Sequence, residues 1–136
     1  MKKFEILPHI ADLKIKSFGR TKEELFKNSL LGMIESLKPE IKKRGVKVQR
    51  KIKIKSPDLP ALLVDFLSEV LYLTQVNREI YKNIKFDKFT DTEIEGELFG
   101  KKVKSFGEDI KAATYHSLDI HQKKDGFWEA TVLFDI

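Results

Sequence analysis

The residues best suited to chemistry stand at the end of the chain. Phe127-Trp128-Glu129-Ala130-Thr131-Val132-Leu133-Phe134-Asp135-Ile136 is patterned as a strand up to its last residue, which puts the Asp135 side chain within one residue of the Ile136 α-carboxylate. Hard cations such as Ca²⁺ and Mg²⁺ take oxygen ligands of this kind. If the strand that begins at Asp12 is the neighbour, three anions converge, and leaving them unneutralised is costly. A second group lies in Ile110-Lys111-Ala112-Ala113-Thr114-Tyr115-His116, where alternation places Lys111, Ala113 and Tyr115 on one strand face and Thr114 and His116 on the other. Such a Lys/Tyr face can lie in solvent without a task, or present a cation and a phenol to a phosphate or to a partner's active site. A third group, Asp65, Ser68, Glu69 and Tyr72, shares one helix face at spacings of three and four. A solvated face is the first reading of Asp65 and Glu69.

Lys47, Lys51, Lys53 and Lys55 project to one side of a strand, as do Glu93, Glu95 and Glu97 on another. The lysines read equally as a nucleic-acid or acidic-partner surface and as half of a cross-strand ladder, in which each opposed pair contributes a few tenths of a kcal/mol. No aromatic residues interleave with these lysines as a stacking surface requires. His9, His116 and His121 are scattered without helical metal-ligand spacing, and no G-x-S-x-G elbow, Walker A loop or G-x-G-x-x-G turn occurs. No catalytic residue is assigned, and an independent enzyme is not expected.

The elements that position these groups follow from periodicity. Leu13-Lys14-Ile15-Lys16 up to Gly19 is a half-buried strand opened by Asp12. Thr21-Lys22-Glu23-Glu24 has the form of a capping box, and Leu25, Phe26, Leu30, Met33, Ile34 and Leu37 continue a helix from about Thr21 to Leu37. The stretch from Pro39 to Gly45 is a basic connection before a strand over 46–55 with Val46, Val48, Ile52 and Ile54 inward. Ser56-Pro57-Asp58 starts a strongly apolar helix reaching about Asn77. Strands are then expected at 80–89, at 92–99 with a turn at Gly100-Lys101, at 110–120 and at 127–136, with Asp125-Gly126 as a hairpin signal. The expected fold is α+β, a single domain spanning 1–136 with two main helices packed on a mixed, mostly antiparallel curved β-sheet.

Composition bounds the function classes. The chain has 136 residues, a net charge of +5, 41% hydrophobic residues and no cysteine. A domain of this length buries roughly 65–70% of its unfolded surface and needs no staples. Without Cys there is no disulfide framework, thiolate metal site or cysteine nucleophile, and a cytoplasmic location is expected. No apolar run is read as a membrane span, and the start at Met1-Lys2-Lys3 is too short and polar for a signal segment. Abundant Lys and Glu with scarce Asn, Gln and Met suggest a thermophilic source.

These groups also carry a family resemblance. His9-Ile10-Ala11-Asp12 resembles the archease H-T-A-D opening, with Ile10 where the family usually has Thr, and Gly19-Arg20-Thr21-Lys22-Glu23-Glu24-Leu25-Phe26 resembles its G-x-T-x-E-E-L-F helix start. The segment from Leu62 to Tyr72 resembles the family's L-L-x-x-[WF]-L-x-E-x-L-Y helix, 110–116 its I/V-K-A-x-T-Y-H strand, and Phe134-Asp135-Ile136 its terminal F/I-D-I. The resemblance implies a non-enzymatic cofactor of the tRNA-splicing RNA ligase, which promotes GTP-dependent guanylylation of that ligase and its multiple turnover. It implies a divalent-metal site on Asp12, Asp135 and the carboxylate of Ile136, with Ca²⁺ first and Mg²⁺ or Mn²⁺ as alternatives. It implies a role in ligase activation for Lys111 and motif positions at Asp65, Glu69, Tyr115 and His116. The ligase would be the protein partner, tRNA an indirect one, and GTP would bind at the ligase; no membrane is involved. The alternative is a basic RNA-associated or chaperone-like binding protein of tRNA-processing enzymes.

Overall fold

A computed structural model describes residues 2–7, 12–41 and 44–136. His9, Ile10 and Ala11, the first part of the H-I-A-D opening, lie outside them. Ten elements follow in chain order: β1 (Phe4–Leu7), β2 (Asp12–Gly19), α1 (Lys22–Ser36), β3 (Pro39–Ile41), β4 (Lys47–Lys55), α2 (Leu59–Asn77), β5 (Glu79–Phe89), β6 (Glu93–Phe106), β7 (Ala112–Gln122) and β8 (Trp128–Asp135). The α+β reading holds. The strands form a sheet in the order β1-β2-β8-β7 and a second in which β6 pairs with β3, β4 and β5. Every pairing among the described residues is antiparallel.

Both helices begin where their capping residues predict. The Thr21 hydroxyl accepts the Glu24 N–H at 3.1 Å, and the Glu24 carboxylate accepts the Arg20 N–H at 3.2 Å. Two otherwise orphaned donors are thereby satisfied. At α2 the Asp58 carboxylate accepts the Ala61 N–H at 2.8 Å. The proline inside the first turn is Pro60, because Pro57 precedes the cap. By length and a mean hydropathy of 1.4, α2 could pass for a membrane span, contrary to the sequence reading. Its apolar stripe is instead packed into the protein, with Leu62, Leu63, Phe66, Leu67 and Val70 fully buried. Each such side chain contributes about 1.5–3 kcal/mol. Phe26 on α1 and Phe66 on α2 stack at 5.6 Å and meet Phe89 and Phe86 of β5, so both helices share one aromatic seam with the second sheet.

The sequence reading of β6 needs correction. The strand runs straight through Gly100-Lys101 to Phe106. Gly100 is there because β5 passes so close that an added Cβ would lie 1.8 Å from the Ile80 carbonyl oxygen. The turn that does form is at Asp125-Gly126, where Gly126 has φ +90° and donates to the Lys123 carbonyl at 2.9 Å. Two short strands, β1 and β3, went unread, and β3 occupies part of the expected basic connection.

β4 and β6 are neighbours, with Lys51, Lys53 and Lys55 opposite Glu97, Glu95 and Glu93. Lys53–Glu95 closes to 3.4 Å and Lys55–Glu93 to 3.2 Å, which makes part of this face a self-neutralising ladder, while Lys47 lies opposite Lys101. The inner face of β4 holds an unexpected residue. Val46 is exposed and precedes the strand, whereas Arg50 occupies an apolar-register position and donates to Glu79 from Nε and Nη2, at 2.9 and 2.8 Å. Glu79 is fully buried and also accepts the Tyr81 hydroxyl at 2.7 Å and faces the Lys102 ammonium at 3.3 Å. These donors, Arg50 foremost, pull its pKa down to about 2.

A carboxylate with a depressed pKa stabilises the fold above its unfolded value, and that contribution is lost as pH falls. Glu79 should therefore contribute fully above about pH 4.5 and lose its contribution between there and about pH 2. Glu79→Gln should lower unfolding free energy at pH 7 by roughly 2 kcal/mol, discounted for the partly exposed cations. Denaturant unfolding at pH 7, 4 and 3 should show the difference from the parent shrinking with acid.

Candidate functional site

The register of β2 on β8 runs from Asp12 opposite Asp135 to Gly19 opposite Trp128. Directly opposed residues of an antiparallel pair share a sheet face, so the Asp12 and Asp135 carboxylates project together, away from buried Ile15, Val132 and Phe134. The condition set by the sequence, that Asp12 begin the neighbouring strand, is met. On the other side of β8, Ala112 opposes Asp135, and the Lys111 N–H donates to the Asp135 carbonyl at 2.7 Å. Three adjacent strand ends thus gather Asp12, Asp135, Ile136 and the exposed Lys111. Beside them lies a cleft of about 410 Å³ whose apolar wall is Ile6, Leu13, Ile110 and Ile136.

Among the described residues, no three His, Asp or Glu side chains gather closely enough to hold a metal ion. A cation at these strand ends would need the Ile136 carboxylate beside Asp12 and Asp135. The donor set suits one chemically, because all are hard oxygens.

The second cluster joins α2 to β7. Asp65 accepts hydrogen bonds from the Ser56 hydroxyl and the Tyr115 phenol. It is therefore a tether between elements rather than the plain solvated face expected. The hydrogen bond to Asp65, then burial, then the carboxylate charge hold the Tyr115 phenol above its ordinary pKa. Glu69, one turn further on, is half-buried, and His116 is exposed. Lys111 and Tyr115 are four residues apart, roughly 13 Å along a strand, so the acidic strand ends and the Asp65–Tyr115 pair form adjoining groups, not one cluster.

Sequence reasoning missed two features here. Ser56, the second donor to Asp65, was read only as part of a helix-start signal. β7 is also interrupted: Thr114 opposes Leu133, yet Asp119 opposes Thr131. Residues 115–118 bulge against a single residue of β8, with Ser117 in the left-handed region at φ 53°. Such a bulge re-aims side chains and often lies beside functional sites, and it ends the simple alternation of faces after Thr114. No glycine marks it in the sequence.

Asp65→Asn should shift the Tyr115 titration down toward the ordinary tyrosine range, read from the Tyr115 ring signals in an NMR pH series. An unchanged midpoint would mean that the carboxylate does not hold the phenol in solution.

Comparisons with known proteins identify the family. The family model described as Archease protein family (MTH1598/TM1083) matches residues 4–136. The protein archease of Methanosarcina barkeri is 38% identical, over 99% of this chain and 97% of its own length, and that of Thermococcus kodakarensis is 31% identical with both chains fully covered. The solution structure of Methanobacterium thermoautotrophicum protein 1598 superposes with a TM-score of 0.74 at 26% identity, covering 100% of both chains. An archease from Thermotoga maritima, described as a possible chaperone, shares the fold at a TM-score of 0.68 and 18% identity, over 96% of this chain and 94% of that one. A family model spanning almost the whole chain and relatives 31–38% identical along nearly their full length show that the chain belongs to the archease family.

Proposed function

We propose that this protein activates a GTP-dependent tRNA-splicing RNA ligase, promoting its guanylylation and turnover without being an enzyme itself. The observation that carries the reading is the β2–β8 register, which sets Asp12 against Asp135 at the same strand ends as Lys111. Family membership supplies the context. In this reading Asp12, Asp135 and the α-carboxylate of Ile136 hold a divalent cation, Ca²⁺ first and Mg²⁺ or Mn²⁺ as alternatives. Such an ion supplies charge stabilisation and orientation to phosphates during nucleotidyl transfer.

The chain's own residues do the rest. Lys111, exposed beside Asp135, offers a cation to nucleotide phosphates. The cleft walled by Ile6, Leu13, Ile110 and Ile136 gives the ligase an apolar contact next to the charged groups. Asp65, through Tyr115, fastens β7 to α2 and so steadies the strand that begins after Lys111. The competing reading, direct RNA binding by the 46–55 strand, is weakened by the Lys53–Glu95 and Lys55–Glu93 pairs.

The test mixes the protein with such a ligase, GTP and Mg²⁺ or Mn²⁺ and measures covalent guanylylate. Asp12→Ala, Asp135→Ala and a one-residue extension after Ile136 should each lower stimulation at least tenfold, and Lys111→Ala should lower it without weakening Ca²⁺ binding measured by calorimetry. If all of the first three stimulate as well as the parent, the reading fails.

A further inference from the structure

The other end of β2 carries the opposite charge. Seven residues after Asp12, roughly 24 Å along the strand, Gly19 leads into Arg20 and α1. A groove of about 530 Å³ opens there, lined by Lys2, Lys3, Arg20 and Lys27. It shares Lys2 with a neighbouring cavity of about 360 Å³ that adds Lys123, and shares Arg20 with a smaller one at Asp125 and Gly126. Lys2 pairs with Glu5, and Lys123 lies 3.8 Å from Asp125. Among the described residues Lys3, Arg20 and Lys27 have no ion pair. Their charges are not held in direct pairs, unlike those of Lys53 and Lys55, although Glu23 and Glu24 line the same groove.

Aromatic rings lie among these cations. Half-buried Phe86 lines the large groove, and half-buried Phe18 and Phe127 line the second cavity. Cations along a groove with interleaved aromatic rings are the combination by which proteins hold single-stranded nucleic acid, with phosphates on the charges and bases stacked on the rings. Glu23, Glu24 and Asp125 also line these cavities. Carboxylates repel phosphates but accept hydrogen bonds from ribose 2′-hydroxyls, the group that separates RNA from DNA.

We propose that this groove at the start of α1 binds single-stranded RNA, on the end of the molecule opposite the carboxylates of Asp12 and Asp135. The site is independent of the ligase reading. An activator bearing both ends can hold the RNA while its other end engages the ligase.

The test measures binding of a fluorescein-labelled, unstructured RNA oligonucleotide by anisotropy over a salt series. The parent should bind RNA more tightly than the same DNA sequence. The variant Lys3→Ala/Arg20→Ala/Lys27→Ala should bind at least tenfold more weakly, with a log–log salt slope smaller by about 0.7 for each cation removed. Phe127→Ala should weaken binding about fivefold or more with the salt slope kept. Lys53→Ala/Lys55→Ala should bind like the parent, and thermal melting checks that every variant is folded. Equal binding by the triple variant, equal affinity for DNA, or no RNA binding at 50 mM salt would each overturn the proposal. Guanylylation without RNA separates the two readings. The folded triple variant should stimulate it normally, while Asp12→Ala should lose stimulation yet bind RNA.

Discussion

The pairing of β2 with β8 is the constraint on which the rest depends. It joins an early strand to the last one at the centre of the first sheet, with β1 and β7 outside them. Because side chains alternate with a period of two, a one-residue slip of β8 would turn Val132 and Phe134 out of the core, and one of β2 would turn Ile15 out and bring Lys14 in. The cost of exposing that apolar set holds the register firmly. The same register is what sets Asp12 opposite Asp135. The acidic pair thus owes its geometry to hydrophobic burial one residue away, and needs no attraction of its own to persist.

The second sheet is locked by different means. Its contact with the helices is the aromatic seam of Phe26, Phe66, Phe86 and Phe89, which has large area but tolerates small rotations. The Glu79 network has the reverse character. Its bidentate bond to Arg50 and its acceptance of the Tyr81 phenol are directional, and a buried carboxylate without partners costs several kcal/mol. Burial sets how strongly β4 and β5 are held to β6, and the ion network favours one alignment of them. A network of this kind is poor evidence for net stability and better evidence for specificity.

Legibility followed the length and chemistry of each segment. α1 and α2 were readable because Thr21 and Asp58 are capping residues and the apolar stripes run for several turns. β8 was readable because its alternation persists for its whole length. β1 and β3 span only 4 and 3 residues, too few for periodicity to register. Arg50 and Glu79 escaped because a charged side chain at an apolar register reads as surface until its partner, 29 residues away, is known. The bulge at 115–118 escaped because Ser117, a non-glycine, takes the left-handed conformation. Gly100 was misread because a glycine that admits a neighbouring strand has the same letter as one that turns a chain. Of the site, the carboxylates and Lys111 were legible. The Asp65–Tyr115 tether was not, since it depends on how α2 lies across β7.

The net charge of +5 takes on a different meaning once it is distributed. Lys53 pairs with Glu95, while Lys55 and Lys88 share Glu93, so the most lysine-rich strand is only partly neutralised, and its Lys47 lies opposite Lys101. Lys3, Arg20 and Lys27 stand together at one end of β2, and the opposed carboxylates of Asp12 and Asp135 at the other. Over roughly 24 Å, more than two Debye lengths at physiological salt, the ends do not neutralise each other through solvent. A rigid strand between unlike ends can present each to a different partner surface. The same geometry opposes a single polyanion lying along the whole sheet, because it would meet carboxylates before it reached the far end.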